Sequence, residues 1–346
     1  MKAKSLKFGA AILSAALLAT AAGAQTEQPA FVPDAPGQKA NGWTKAPEAR
    51  PDTIRFVVVG DRTGLARPGV FEQAVKQADG LKPEFIINVG DLLEGYTSDP
   101  AELASEWAEI ETAVAASKTP FFFVPGNHDL GNQLMLDSWR ERRGEPYYAF
   151  TWKGALFLVL DTEDPPMDMP ADFAKMFREM AMGMRTDPVG TEAKLKEALG
   201  DVNANRAKGQ SDGAMKALEG ARFSKKQVDW ALDVLSRHKD ARWTFVLMHK
   251  PAWTLNSAEF DRIEKALGNR GYTVIAGHNH YYKYDQRNGR DYITMGTAGA
   301  ISHQHGPGEM DHLAWVTVED GAPEISLLKL TGILDRKGES GQPLAK

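Results

Sequence analysis

Five short segments of this chain carry residues able to hold hard cations and move protons. They are Gly60-Asp61-Arg62-Thr63-Gly64, Gly90-Asp91-Leu92-Leu93-Glu94, Pro125-Gly126-Asn127-His128-Asp129, His249-Lys250-Pro251 and Gly277-His278-Asn279-His280. Between them they offer carboxylates, an amide oxygen and imidazoles, and the chain contains no cysteine. A metal site built here must use oxygen and imidazole donors, the set that suits Mn, Fe, Zn or Mg and needs no thiolate. Taken singly, each segment is ordinary. Gly-Asp after a strand is commonly a turn, and His278 and His280 fit plain strand alternation. Taken together, in this order and each behind an apolar run, they describe one site. No His-Glu-x-x-His helix is present, which argues against a zinc peptidase.

The runs that must position these residues read as strands over 54–59, 84–89, 121–124, 155–160, 243–248, 272–276, 291–295, 313–318 and 324–330. Between them, Leu103, Trp107, Ile110 and Val114 share one helical face after Ser98-Asp99-Pro100. Ser224 with Gln227 reads as a capping box, and Ser257 starts a third helix that stops at Gly268. This alternation predicts an α/β fold with helices on the sheet faces. In such sheets the loops at the carboxyl ends of strands line the functional crevice. The glycines before Asp61, Asp91, Asn127 and His278 allow the sharp turns and close approaches that convergence there demands.

With those motifs in view, the stretch from about Thr53 to Gly299 resembles the calcineurin-like metallophosphoesterases, the superfamily of purple acid phosphatases and many bacterial phosphodiesterases. The resemblance implies a four-layer α/β/β/α sandwich of two mixed sheets and a site for two divalent metal ions. It implies that Asp61 and His280 bind the first ion, that Asp91 bridges both, and that Asn127 and His249 bind the second, joined by His278. His128 would be the catalytic imidazole outside the metals, oriented by Asp129. The residue types suit that chemistry: two ions about 3.5–4 Å apart clamp a phosphoryl group and acidify a water to hydroxide. The hydroxide then attacks phosphorus, while protonated His128 serves the leaving oxygen. Glu94 is read as steadying a ligand from outside the metals, with a solvated loop carboxylate as the alternative.

One position departs from the pattern. Many members have Asp-x-His in the first motif, and here the third residue is Thr63, which reaches a metal only through its hydroxyl or a water. The first metal site is therefore expected to be weak or open. Arg62 is either a structural ion pair or a phosphate clamp. His303 or His305, beyond the Gly296–Ala300 turn, could border the crevice and replace the missing imidazole.

Lys2, Lys4 and Lys7, an apolar run from Phe8 to Thr20 and Ala22-Gly23-Ala24 read as a signal peptide over residues 1–24. Export to the periplasm or medium is the expectation, with no membrane span after cleavage. The mature chain then has 38 basic against 46 acidic residues, a net charge of −8. With 42% hydrophobic and 25% charged residues, the composition is that of a globular protein with no basic surface for nucleic acid. Residues 25–52 read as a Pro-rich linker or arm that Phe31 and Trp43 could anchor. Residues 53–330 form the catalytic domain, and 331–346 a polar tail. An insertion of about 165–221 holds six of the twelve methionines between Met167 and Met184. It is read as helical and as a lid, with a plain packed helix or a copper(I)-thioether site as alternatives. The functional expectation is an exported metal-dependent phosphate-ester hydrolase acting through a metal-bound hydroxide. The alternative is a catalytically weakened metal- or phosphate-binding protein of the same fold.

Overall fold

The computed structural model describes residues 31–34, 52–195, 218–302 and 304–330. Within them two mixed sheets form. One runs β1 (Val32–Asp34), β5 (Tyr148–Trp152), β6 (Ala155–Val159), β7 (Thr244–Leu247), β8 (Tyr272–Ala276), β10 (Arg290–Thr294) and β9 (Lys283–Arg287). The other runs β12 (Glu324–Lys329), β11 (His312–Val318), β2 (Ile54–Val59), β3 (Phe85–Asn88) and β4 (Phe121–Phe122).

Strand period assigns the layers. In β2, Ile54, Phe56 and Val58 enter the core between the sheets, whereas Val57 and Val59 face outward. In β7, Phe245 and Leu247 point inward and Val246 outward. The outer face of the five-stranded sheet is covered by α1 (Val70–Gly80), α2 (Pro100–Ala115) and α3 (Gln133–Arg143), through Phe71, Val75, Leu103, Trp107, Ile110 and Trp139. The seven-stranded sheet is covered by α5 (Lys225–Arg237) and α6 (Ala258–Leu267), through Val228, Leu235, Phe260 and Ile263. The result is the expected four-layer α/β/β/α sandwich. A further helix, α4 (Ala171–Thr186), belongs to the insertion.

Strand direction gathers the motifs. β2, β3 and β4 are mutually parallel, as are β6, β7, β8 and β10, so their carboxyl ends lie together at one edge of each sheet. A bridge between Asp61, just past β2, and Thr297, just past β10, joins the two sheets at that edge.

The named helices form where expected, with caps from Asp99, Ser224 and Ser257. The capping box is half made. The Gln227 N–H bonds Ser224 Oγ at 3.1 Å, but the Gln227 side chain is drawn to the buried peptide of Asp161, donating to its carbonyl at 3.0 Å and accepting from its N–H at 2.8 Å. Satisfying a buried peptide outweighs a bond at a solvated helix end. α1, α3 and the strands β1, β5 and β9 were not expected. β9 (KYDQR) is a polar edge strand with an exposed face, and only its pairing with β10 makes it a strand.

Phe31 is nearly buried, with ring centroids 5.0 Å from Phe122 and 4.3 Å from Trp152, and β1 pairs antiparallel with β5. Asp34 is held by Arg237 and by His238, the latter at 3.1 Å. Trp43, the signal-peptide stretch, the polar tail, His303 and most of the linker lie outside the described residues. Removing a buried aromatic typically costs about 3–5 kcal/mol. Phe31→Ala is therefore expected to lower the unfolding free energy by an amount in that range, seen as a lower denaturant midpoint with the slope of the transition unchanged.

Candidate metal centre

The loop after β2 brings in Asp61, that after β3 Asp91, and that after β4 Asn127 and His128. The loops after β7 and β8 add His249, His278 and His280. All six expected metal ligands converge. The donor atoms of five of them fall into two groups, Asp91 with His249 and His278, and Asp61 with Asp91 and His280, each drawn together within 4.8 Å. Asp91 is common to both. Its Oδ2 lies 3.0 Å from His249 Nε2, which also lies 3.0 Å from Asn127 Oδ1 and 3.2 Å from His278 Nδ1. His280 Nε2 lies 3.3 Å from Asp61 Oδ2.

The backbone makes this approach feasible. A Cβ on Gly126 would sit 2.2 Å from Asp91 Oδ1, and one on Gly277 would sit 2.2 Å from Asp61 Oδ1, so only glycine fits at either place. Asp91, His278 and His280 are themselves held at positive φ (55°, 73° and 49°), a sparsely populated region even for Asp and His. Hydrogen bonds hold each in place: Arg62 N–H and Thr63 N–H to the Asp91 carbonyl (3.1 and 3.0 Å), His278 N–H to Asp61 Oδ2 (2.7 Å), and His280 Nδ1 to the Ile301 carbonyl (2.8 Å). Such strain is retained where geometry must be set in advance.

Backbone carbonyls also decide which imidazole nitrogen is free. A carbonyl only accepts, so His249 Nδ1 (to Val89, 2.8 Å) and His280 Nδ1 carry protons, which leaves Nε2 as the nitrogen each ring can offer a cation once it is deprotonated. Burial alone would lower His249, but the charge and hydrogen bond of Asp91 overcome it and raise this imidazole to about 9. Burial and then the His249 charge push His278 well below the usual range. His280 is lowered by burial and raised, on balance, by Asp61. Burial opposes ionisation of Asp91, yet the His249 and His128 charges hold it far below the ordinary carboxylate range. Asp61 Oδ1 is buried with no hydrogen-bond partner among the described residues, as is Thr63 Oγ1. An orphaned buried carboxylate oxygen is costly unless something positive completes it. The donor set fits a pair of divalent cations.

Two expectations change around His128, those for Asp129 and Glu94. Asp129 does not orient that ring. Its buried carboxylate accepts the N–H groups of Leu92 and Leu93 (both 3.0 Å) and Gly126 (2.9 Å), tying the β3 and β4 loops together. Burial and the Asp91 charge raise Asp129 to about 7. His128 Nδ1 instead meets the Glu94 carbonyl at 2.8 Å. The Glu94 carboxylate holds the loop beyond Asp61, accepting from Ala66 N–H at 2.7 Å, and bonds no ligand side chain. Arg62 donates to the Leu92 carbonyl at 2.8 Å and pairs with Glu109 at 3.1 Å, bracing the Asp91 loop from outside. His305 is exposed and pairs with Glu309 at 3.0 Å.

Tyr96 was missed by sequence reasoning. Its hydroxyl accepts from Asn127 Nδ2 at 2.6 Å, which turns Asn127 Oδ1 toward His249, and its ring lies 4.6 Å from that of His128. Its place two residues past Glu94 was the only available hint. Of the methionines in the insertion, Met184 is buried and Met182 exposed, dividing them between the faces of α4.

A family model for calcineurin-like phosphoesterases matches residues 54–282. Serine/threonine-protein phosphatase CPPED1 of Homo sapiens is 33% identical over 99 residues, covering 27% of this chain and 31% of the relative. The Mus musculus protein of that name is 34% identical over 99 residues, with the same coverage. The chain thus spans under a third of the length of these curated relatives. The crystal structure of a dimetal phosphatase from Danio rerio has a TM-score of 0.51 at 13% identity, covering 80% of this chain and 99% of that one, and so shares its fold.

Proposed function

This chain belongs to the calcineurin-like phosphoesterase family, and we propose that it is an exported phosphoesterase with two divalent ions held in the Asp61–His280 cluster. Family membership makes it a metal-dependent phosphoester hydrolase. The finer reading is carried by one observation: Asp91 is shared by both ligand groups, as a bridging carboxylate must be. In this reading Asp61 and His280 hold one ion, Asn127, His249 and His278 the other, and Asp91 spans the two. When bound, the ions would neutralise the phosphoryl oxygens and acidify the attacking water. The residues of the chain do the rest. Asn127 is aimed by Tyr96. His128 carries one proton at Nδ1, fixed by Glu94, and its Nε2 delivers the other to the leaving oxygen. The substrate is a small or lipid-like phosphate ester. Among the described residues no helix is long and apolar enough to cross a membrane. Periplasmic or secreted location rests on the leader-like residues 1–24.

Thr63 supports a second reading, a metal- or phosphate-binding protein with weakened turnover, because it supplies no imidazole to the first ion. Both are tested by loading the purified chain with Mn, Fe, Zn or Mg, counting ions, and assaying an aryl phosphate monoester and a bis-ester. Two ions per chain with turnover is expected, whereas one ion and no hydrolysis under any metal overturns the enzymatic reading. A metal must displace the His249 proton, which is held up to about 9. Affinity should therefore rise about tenfold per pH unit from 7 toward 9 and flatten above. Calorimetry in buffers of different ionisation heat should show proton release at pH 7. Its absence would mean that His249 is not a ligand.

A further inference from the structure

The insertion helix α4 packs on the loops that carry Leu65, Gly95, His128 and Ile301. Met184 and Ala181, with Phe177 and Met180, pack on Leu65, in the loop past Asp61, and on Ile301, whose carbonyl holds His280. The two consecutive residues Phe177 and Arg178 reach furthest in. The Phe177 ring lies 4.9 Å from the His128 ring and 5.8 Å from Tyr96, so His128 is flanked by two aromatics. Arg178 donates to the Gly95 carbonyl and pairs with Glu106 at 3.0 Å and with Glu102. Glu106 in turn accepts the Gly95 N–H at 2.9 Å, so the Gly95 backbone is clamped through both its polar groups. Gly95 follows Glu94, the residue whose carbonyl fixes His128 Nδ1, and its α-carbon packs so closely on the His128 carbonyl that no Cβ would fit. That arrangement grips one imidazole.

We propose that Phe177 and Arg178 are positioning residues for His128, so that the insertion completes the proton-donating half of the site rather than serving only as a cover. This rests on reading His128 as the donor to the leaving oxygen. Misplacing a catalytic group by about 1 Å can cost on the order of 10²-fold. Such a loss falls on esters whose leaving group needs a proton.

The test compares Phe177→Ala, Phe177→Tyr and Arg178→Ala in the metal-loaded full chain, using an alkyl phosphate and a nitrophenyl phosphate. Phe177→Ala and Arg178→Ala should lower kcat on the alkyl ester about 10²-fold and on the nitrophenyl ester only a few-fold. KM and ion content should hold, and Phe177→Tyr should restore most of the rate. Phe177→Ala added to His128→Ala should cost nothing further. Equal losses on both esters, a change in KM alone, loss of ions, or additivity in the double variant would each overturn the proposal. A second readout needs no activity. The His128 Nδ1 proton, protected by the Glu94 carbonyl, should give a slowly exchanging NMR signal in the metal-free chain and lose it in either alanine variant. Persistence of that signal overturns the positioning role. If the unmutated chain cleaves no ester, the functional reading fails, and the NMR comparison still decides this one.

Discussion

Asp91→Asn is expected to reduce turnover by at least about 10³-fold and to drop the metal content below one ion per chain. Residues that only support a ligand typically cost 10–100-fold when removed, and Asp91 sits in both ligand groups. The substitution isolates charge. Asn tolerates the positive φ of 55° found here, and its side-chain oxygen can still accept from His128 N–H as Asp91 Oδ1 does at 3.0 Å. What vanishes is the anion that holds His249 up to about 9. Burial then acts unopposed by that charge, and the His249 imidazole should titrate lower in the metal-free variant. NMR titration of the histidines checks the sign, and elemental analysis beside an aryl phosphate assay checks the rest. Retention of two ions with normal turnover would remove Asp91 as the bridge.

His128→Ala should behave differently, with two ions retained and kcat reduced by about 10²–10⁴-fold, the usual contribution of a positioned proton donor. The ring belongs to neither ligand group; its Nδ1 bonds the Glu94 carbonyl. The loss should grow with the pKa of the leaving alcohol, since a nitrophenolate departs without a proton and an alkoxide does not. A kinetic series of esters measures that slope. A uniform loss across the series would show that His128 stabilises charge on the phosphoryl group and does not protonate the leaving group.

The contrast between these variants explains how much of the site was legible in the chain. The convergence of the six expected ligands was readable because their segments follow apolar runs, and parallel strands deliver their ends to one edge. Whether His128 is served by Asp129 was not readable. The adjacent carboxylate looked like the natural partner, yet three backbone N–H groups in two loops needed an acceptor, and Asp129 is buried among them. A buried peptide group left unpaired costs more than an imidazole held by a different oxygen. Glu94 changed role for a related reason: its carboxylate binds Ala66 N–H, while its carbonyl, which has no sequence signature, binds His128.

The sequence by itself determined the donor chemistry and the strand-end placement of the expected ligands, because apolar runs and cysteine-free composition are local properties. Only the tertiary structure decided which ring nitrogen is free, what orients Asn127, and that α4 grips the loop of His128. Those outcomes depend on contacts such as Arg178 with Gly95, 83 residues apart. No local pattern records a pairing of that range, since it exists only after both sheets have brought their loops to the same edge.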